Sequence, residues 1–197
     1  MRKLICLSLI LIISVSACSK KNETKTPTNT ISIGGDNYNT IVIGTQTWTA
    51  TNYNGTGGVG GFYTFAQATA INLPAGWRLP TQKDFNNLLK LAGGTLDSYG
   101  NVDNANALAL MSATGWSGGN GTNSLGFNAL SIGYGIYPGP AYVGSGIYAA
   151  FWSSSFLVAG EPFDLIIQHI DSYPASVVLD NGLNPDDYAS IRFVKDN

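Results

Sequence analysis

The sequence is poor in the residues on which most catalysis and metal binding depend. Its 197 residues include two cysteines, Cys6 and Cys18, and one histidine, His169. Because both cysteines lie within the first 18 residues, the rest of the chain has no thiol nucleophile and no disulfide. A single histidine is a poor supply of zinc ligands, and it leaves a serine triad with one candidate base. These absences argue against an enzyme.

The N-terminal residues combine a positive start, an apolar run and small residues before a cysteine. Arg2 and Lys3 precede Leu4 to Val15, which is apolar apart from two serines. The run is shorter than the ~20 residues that a membrane-spanning helix needs, and it fits a signal-peptide core. The sequence Val15-Ser16-Ala17-Cys18 resembles a lipobox, which implies cleavage before Cys18 and lipid attached to that cysteine. The alternative is an ordinary signal peptide that is cut elsewhere.

We therefore divide the chain into three parts. Residues 1–17 are a lipoprotein signal peptide, residues 18–30 are the lipidated cysteine and a flexible polar tether, and residues 31–197 are one folded domain. The lipobox implies an exported protein that is held in a membrane by lipid on Cys18. Ser19 stands where an aspartate would favour the inner membrane, so we expect the outer membrane and leave open which face carries the domain.

The charge of the domain bears on its partners. From Ile31 onward there are five basic and eleven acidic residues. An acidic surface repels the phosphates of DNA and RNA, so we do not expect nucleic acid as a partner.

Hydrophobic periodicity predicts strands at both ends of the domain and helices between them. Two capping boxes, Thr64-Phe65-Ala66-Gln67 and Thr81-Gln82-Lys83-Asp84, predict helices over 66–71 and 82–92, and a weaker helix is predicted over 104–112. The Gly- and Tyr-rich stretch from 115 to 146 predicts a long loop. Strands are predicted over 31–33, 40–43, 46–51, 148–156, 163–170, 176–179 and 190–194. This order predicts an α+β fold with antiparallel pairing.

Five short motifs are spread in order along the domain: Ile43–Trp48, Gly76–Thr81, Gly121–Leu130, Phe151–Ser154 and Ile191–Lys195. Their order and spacing resemble the Fibrobacter succinogenes major paralogous domain, a family common in bacterial lipoproteins. The resemblance implies a C-type-lectin-like fold with two main helices, a small twisted antiparallel sheet and a long loop region. It also implies distant kinship with formylglycine-generating enzymes, although their cysteine chemistry has no counterpart here. The family brings no defined biochemical role.

The resemblance also implies a contact. Many members carry a cysteine where this chain has Leu73, and another where it has Phe193, so we expect an apolar contact between Leu73 and Phe193 in place of a disulfide. We further expect Trp77, Leu79 and Trp152 to lie in the core, because a large side chain beside regular structure gains most from burial.

Candidate binding residues lie in the second half of the domain. Tyr137 and Tyr142 belong to a set of four tyrosines, with Tyr134 and Tyr148, on the Gly-rich stretch, and about half of these are expected to pack on the core. Glu161 and Asp164 flank Pro162 at a predicted loop and could bind a ligand. Together with the Asn184–Asp187 segment they also offer the oxygen ligands that calcium prefers, so calcium is the one cofactor left open.

We expect a non-catalytic binding module of the cell envelope that recognises a glycan or a surface protein. One alternative is a structural or assembly protein of the envelope without a soluble ligand. A glycan hydrolase is the other, and it would require Glu161 and a second acid to converge in a cleft.

Overall fold

The computed structural model describes residues 29–98, 102–139 and 141–197. The predicted signal peptide, Cys18 and most of the predicted tether lie outside these described residues. Strand accounts for 39% and helix for 11% of the structure, so the protein is mostly β. The predicted α+β class with two main helices is therefore wrong, because the helices are short and the predicted loops form further hairpins. The C-type-lectin-like arrangement that accompanied it is not confirmed.

One antiparallel sheet joins the beginning of the domain to its end. The turns between its first strands use Gly34, Gly35 and Gly44, which have φ values of 63°, 95° and 62°. Such left-handed backbone is what two-residue hairpin turns need, and glycine adopts it without strain. The sheet has the strand order β1 (Asn29–Ile33), β2 (Asp36–Ile43), β3 (Gln46–Thr49) and β11 (Val194–Asp196).

A second antiparallel sheet contains the longest strands. Its strand order is β10 (Ser176–Asp180), β9 (Glu161–Gln168) and β8 (Tyr148–Val158). Glu161 and Asp164 are thus part of a strand, and the expected loop around them is wrong. The chain turns at Gly160, where φ is 87°, so pairing resumes directly at Glu161.

Two small hairpins complete the strands. The first consists of β4 (Thr95–Leu96) and β5 (Val102–Asp103), and the second of β6 (Tyr134–Ile136) and β7 (Ala141–Val143). The second hairpin lies within the stretch predicted as one long loop. That prediction failed because a strand of three residues is too short for its alternation to be visible among so many glycines.

The two capping boxes are confirmed. They begin α1 (Phe65–Thr69) and α2 (Gln82–Leu91), and in each the N-cap threonine accepts a bond from the N3 amide while the N3 side chain accepts one from the N-cap amide. The third predicted helix is wrong, since only a 3₁₀ turn forms at Ala107–Ala109. Among the described residues, no helix is both long and apolar enough to cross a membrane.

The start of α2 is reinforced by charge. Arg78 pairs with Asp84, the N3 residue of the helix, and with Asp196. Burial alone would raise the pKa of Asp84, but hydrogen bonds from Arg78, Thr81 and Gln46 outweigh it and lower that pKa. The Gly76–Thr81 motif therefore fixes α2 against the terminal strand.

The apolar side chains form two clusters. One gathers Trp48, Phe85 and Phe151 between α2 and both sheets, and the other gathers Tyr53, Tyr63 and Trp152 around α1. All members of both clusters lie between Ile31 and Val194, so the described domain contains its own core.

The expected core residues are confirmed in part. Trp152 and Leu79 are buried, as predicted. Trp77 is only half-buried, because its ring packs under the Lys195 ammonium at 5.6 Å and borders a surface groove. Leu73 and Phe193 belong to the same cluster, and the direct contact between them stays a prediction.

Arg192 is a fully buried cation, which is 0% exposed and forms no ion pair within the described residues. Its Nε donates to Asn52 Oδ1 at 2.7 Å, Nη1 to the Thr49 carbonyl at 2.8 Å and Nη2 to the Asn128 carbonyl at 3.1 Å. The guanidinium also lies 5.0 Å from the centre of the Phe127 ring. Burial lowers its pKa to about 9. Arg192 thus ties three separate segments together by hydrogen bonds.

We predict that Arg192→Met lowers the free energy of unfolding by about 3 kcal/mol or more, because buried acceptors that lose their donor cost ~1–3 kcal/mol each. Arg192→Lys should also destabilise, since one ammonium cannot reach acceptors in three directions. Urea unfolding measures both. Lys90→Met, at an exposed lysine of α2, is the control and should change stability by less than about 0.5 kcal/mol. An Arg192→Met variant as stable as this control would contradict the structural role.

Candidate functional site

An exposed hairpin carries two of the residues that the sequence analysis selected. We call the described residues of this element, 134–139 and 141–143, the tyrosine hairpin. Tyr137 is 60% exposed and Tyr142 is 43% exposed. Beside them, an open depression is lined by Ile136, Tyr137, Pro138, Gly139 and Ala141. The hairpin therefore presents aromatic and apolar surface to solvent.

The base of the tyrosine hairpin is held by Asp187 and Tyr188. Asp187 is 5% exposed, and its Oδ1 accepts a bond from the Tyr137 amide at 2.9 Å. Its Oδ2 accepts from the Asn184 amide at 2.9 Å. Gly135 and Tyr188 exchange both backbone bonds, at 2.8 and 2.9 Å, and a Cβ at Gly135 would approach the Tyr188 Cβ to 2.9 Å. Glycine is required there by close approach.

The other arm of the hairpin is held by contacts of Tyr142. Its ring lies 4.8 Å from the ring of Phe62, and its hydroxyl donates to the Val59 carbonyl at 2.8 Å. One face of Tyr142 is therefore occupied while the rest of the side chain stays exposed. The ring of Tyr142 is therefore held in place, while Tyr137 is held through its backbone amide.

The other two tyrosines of the stretch pack inward, as expected for about half of the set. Tyr134 and Tyr148 are half-buried, with ring centres 5.8 Å apart. Burial raises the pKa of Tyr134, and the nearby Tyr148, Asp187 and Asp164 raise it further.

Glu161 and Asp164 do not form a paired acid site. Asp164 is 0% exposed, whereas Glu161 is half-buried at the start of β9, opposite Val158. Residues three apart in a strand point to opposite faces, which separates the two carboxyls. The Leu183 amide donates to Asp164 Oδ2 at 2.9 Å, and Oδ1 has no hydrogen-bond partner within the described residues. Burial, and then the charge of Asp180, raise the pKa of Asp164 to about 7.

The segments considered for calcium do meet in space. Leu183, which precedes Asn184, donates to Asp164, so the Asn184–Asp187 segment adjoins β9. However, both Asp187 oxygens already accept hydrogen bonds. Within residues 29–98, 102–139 and 141–197, no group of three or more His, Cys, Asp or Glu side chains could hold a metal ion.

A Gly-x-Ser-x-Gly spacing occurs at Gly115–Gly119, and the fold brings it next to His169. In serine hydrolases such a serine lies on a tight turn between a strand and a helix. Here the segment is a turn without a helix after it. The His169 Nδ1 lies 2.7 Å from the Gly119 carbonyl, so this ring nitrogen donates to the backbone. The arrangement ties two loops together and lacks the geometry of a nucleophile and its base.

Sequence analysis missed the residues that support the site. Ile136 and Pro138 extend the exposed surface, while Phe62 and Asp187 hold the hairpin from below. Asp187 was considered only as a possible calcium ligand and Phe62 was not considered, because both support the hairpin across long stretches of chain.

Comparison with known proteins gives a single family. The family model described as the Fibrobacter succinogenes major domain matches residues 36–195, which is most of the chain. No curated protein and no solved structure matches this chain.

We predict that Asp164 makes the protein less stable as the pH rises. Consider a carboxyl whose pKa is higher in the folded state than in the unfolded state. Its contribution to stability is fully present at a pH below its unfolded pKa, and it is lost as the pH rises through its folded pKa. With a folded pKa of about 7, the wild-type free energy of unfolding should fall by about 2–3 kcal/mol between about pH 5 and about pH 8 relative to Asp164→Asn.

Urea unfolding at a series of pH values measures this difference. Asp180→Asn removes the nearest charge that raises the Asp164 pKa, so it should reduce the slope without abolishing it. Parallel curves for the wild type and Asp164→Asn would contradict the assignment.

Proposed function

Because the chain belongs to the Fibrobacter succinogenes major domain family, we propose that it is a lipid-anchored protein of the cell envelope whose domain binds a glycan or a protein without catalysing a reaction. The observation that carries this proposal is the tyrosine hairpin, on which Tyr137 and Tyr142 are 60% and 43% exposed while both arms are fixed from below.

Supported aromatic side chains suit such binding for a physical reason. Tyrosine offers a large apolar ring for stacking on a sugar or a protein surface, together with a hydroxyl for hydrogen bonding. Ordering flexible side chains on binding costs free energy, and the contacts of Tyr142 with Phe62 and Val59 have already met part of that cost. For Tyr137, the bond between its amide and Asp187 fixes the backbone that carries the side chain.

The separation of Glu161 and Asp164 supports a non-catalytic role. A glycan hydrolase would need Glu161 and a second carboxyl on a shared cleft. Asp164, its nearest acid along β9, is instead fully buried. Kinship with formylglycine-generating enzymes, which we retain only as part of this proposal, would add no catalysis, since no cysteine follows Cys18.

The envelope location rests on the N-terminal sequence. We propose lipid on Cys18, an outer-membrane position that follows from Ser19, and a tether that ends where β1 begins at Asn29. More than one acyl chain is needed for stable anchoring. An assembly role without a soluble ligand is the alternative, and a stable stoichiometric partner after crosslinking would favour it.

The tyrosine hairpin is tested with the chain from residue 19 to 197, screened on a glycan array and in pull-downs from envelope extract. For a ligand so found, Tyr137→Ala and Tyr142→Ala should each weaken binding by about tenfold to a hundredfold, the range for central aromatic contacts. Tyr173→Ala is the matched control, because Tyr173 is 68% exposed and lies outside the hairpin. A ligand whose affinity responds equally to all three substitutions, or no ligand in either screen, would refute the assigned surface.

The anchor is tested by metabolic labelling with a radioactive fatty acid. Cys18→Ala should abolish the label and release the protein from membranes, because the thioether to lipid cannot form. Cys6→Ala is the matched control and should keep both the label and the membrane fraction, since Cys6 lies in the apolar run of the leader. Label that persists in Cys18→Ala would contradict lipidation at that residue.

A further inference from the structure

The end of β8, just before the turn into β9, exposes three consecutive large apolar side chains. Phe156, Leu157 and Val158 are 49%, 50% and 60% exposed. In a regular strand, alternate side chains would point inward, but register shifts between Trp152 and Val158 break that alternation. We call these three residues the apolar tip. It lies outside the tyrosine hairpin and takes no part in the proposed binding site.

The apolar tip is held in place from one side. The Phe156 ring lies 5.1 Å from the ring of Phe65 at the start of α1. Below the tip, the Ser154 amide donates to the Pro80 carbonyl at 2.6 Å, and Ser155 Oγ accepts from the Gln82 amide at 3.0 Å. The exposed side chains therefore stand on a fixed base.

The tether joins the domain near this base. Asn29, the first described residue, lines the same groove as Trp77. Three residues further along the chain, Pro80 binds Ser154 beneath the apolar tip. Three extended residues span about 10 Å. Ile31 of β1 and Phe65 belong to the same apolar cluster, and Phe156 of the tip packs on Phe65, so β1 and the tip are connected through this cluster.

We propose that the apolar tip inserts into the lipid surface to which the protein is tethered. Residues 19–28 span at most ~33 Å when extended, so an anchor at residue 18 would hold the start of β1 within that distance of the bilayer. Tethering raises the effective concentration of lipid, and a weak apolar contact then suffices to set the orientation of the domain. This inference rests on the proposed function only for the lipid anchor on Cys18.

The shape of the tip favours lipid over a protein partner. A stable protein interface buries ~800 Å² on each side and needs complementary shape. Three exposed residues at the end of β8 offer far less, whereas the interfacial layer of a bilayer accepts a small apolar surface of any shape. One charge of each sign lies near the tip. Glu161 is three residues after Val158, and Lys83 follows Gln82, whose amide bonds Ser155. Charge therefore does not dominate the expected contact.

Vesicle binding tests the proposal without the anchor. The chain from residue 19 to 197 is sedimented with vesicles of phosphatidylcholine, with and without phosphatidylglycerol. We expect the double variant Leu157→Ser, Val158→Ser to reduce the partition coefficient by about tenfold or more, because it removes the apolar groups that enter the lipid. It leaves the contact between Phe156 and Phe65 intact. Val178→Ser, at a 51% exposed valine of β10, is the matched control and should bind like the wild type. Equal partitioning of all three proteins would overturn the proposal.

A second measurement uses the lipidated protein. Lipid blocks Cys18 there, so Leu157→Cys carries a single reactive thiol for an environment-sensitive fluorophore. Its emission should shift to the blue in membranes and be quenched by lipid-borne quenchers, and a Val178→Cys label should do neither. A water-like spectrum at residue 157 would overturn the proposal. An emission shift that depends on protein concentration and not on lipid would also overturn it, because it would report contact with a second copy of the chain.

The two proposals fail separately. Tyr137→Ala should bind vesicles like the wild type, and the double variant of the apolar tip should keep the affinity for any glycan or protein found in the screens.

Discussion

An unpaired guanidinium in the core is the interaction on which the fold depends most. Arg192 is fully buried and has no acidic partner among residues 29–98, 102–139 and 141–197. It reaches Thr49 at the end of β3, Asn52 in the next loop and Asn128 in the central stretch. A buried charge is costly unless its donors are satisfied. Hydrogen bonds to two carbonyls and an amide, with the Phe127 ring beneath, supply that satisfaction. The cost makes the arrangement specific, because any other register of the last segment would leave both the charge and its acceptors unpaired.

The segment around Arg192 also joins the two halves of the core. Ile191 and Phe193 belong to the cluster around α1, whereas Val194 belongs to the cluster between α2 and the sheets. Val194 and Arg78 exchange backbone bonds at 3.0 Å in each direction, which attaches the start of α2 to the same segment. The positions of the tyrosine hairpin and the apolar tip both depend on these contacts. The tyrosine hairpin is bonded to Asp187 and Tyr188 just before the segment, and the apolar tip stands on bonds from Ser154 to Pro80.

How far the sequence could predict this structure follows from the range of the interactions involved. The capping boxes at Thr64 and Thr81 are local, and both helices begin where they were predicted. The fold class was predicted wrongly, because α1 has five residues and the central glycine-rich stretch pairs into a hairpin whose partners are distant in sequence. Tyr137 and Tyr142 could be selected by residue type and glycine context. Asp164 was selected for the wrong reason, since its burial depends on strand pairing that no local pattern reveals.

The tyrosine hairpin and the apolar tip both expose apolar surface, and they differ in how that surface is made compatible with water. Apolar side chains on a strand edge or turn favour aggregation unless something covers them. In the hairpin, Tyr142 is partly covered by Phe62, and its hydroxyl is bonded, so the exposed remainder is amphipathic and tolerates water. Leu157 and Val158 have no polar group at all, and a soluble ligand that came and went would leave them bare for much of the time. A surface that is always within reach meets that requirement, and for a domain on a short lipid tether the bilayer is such a surface.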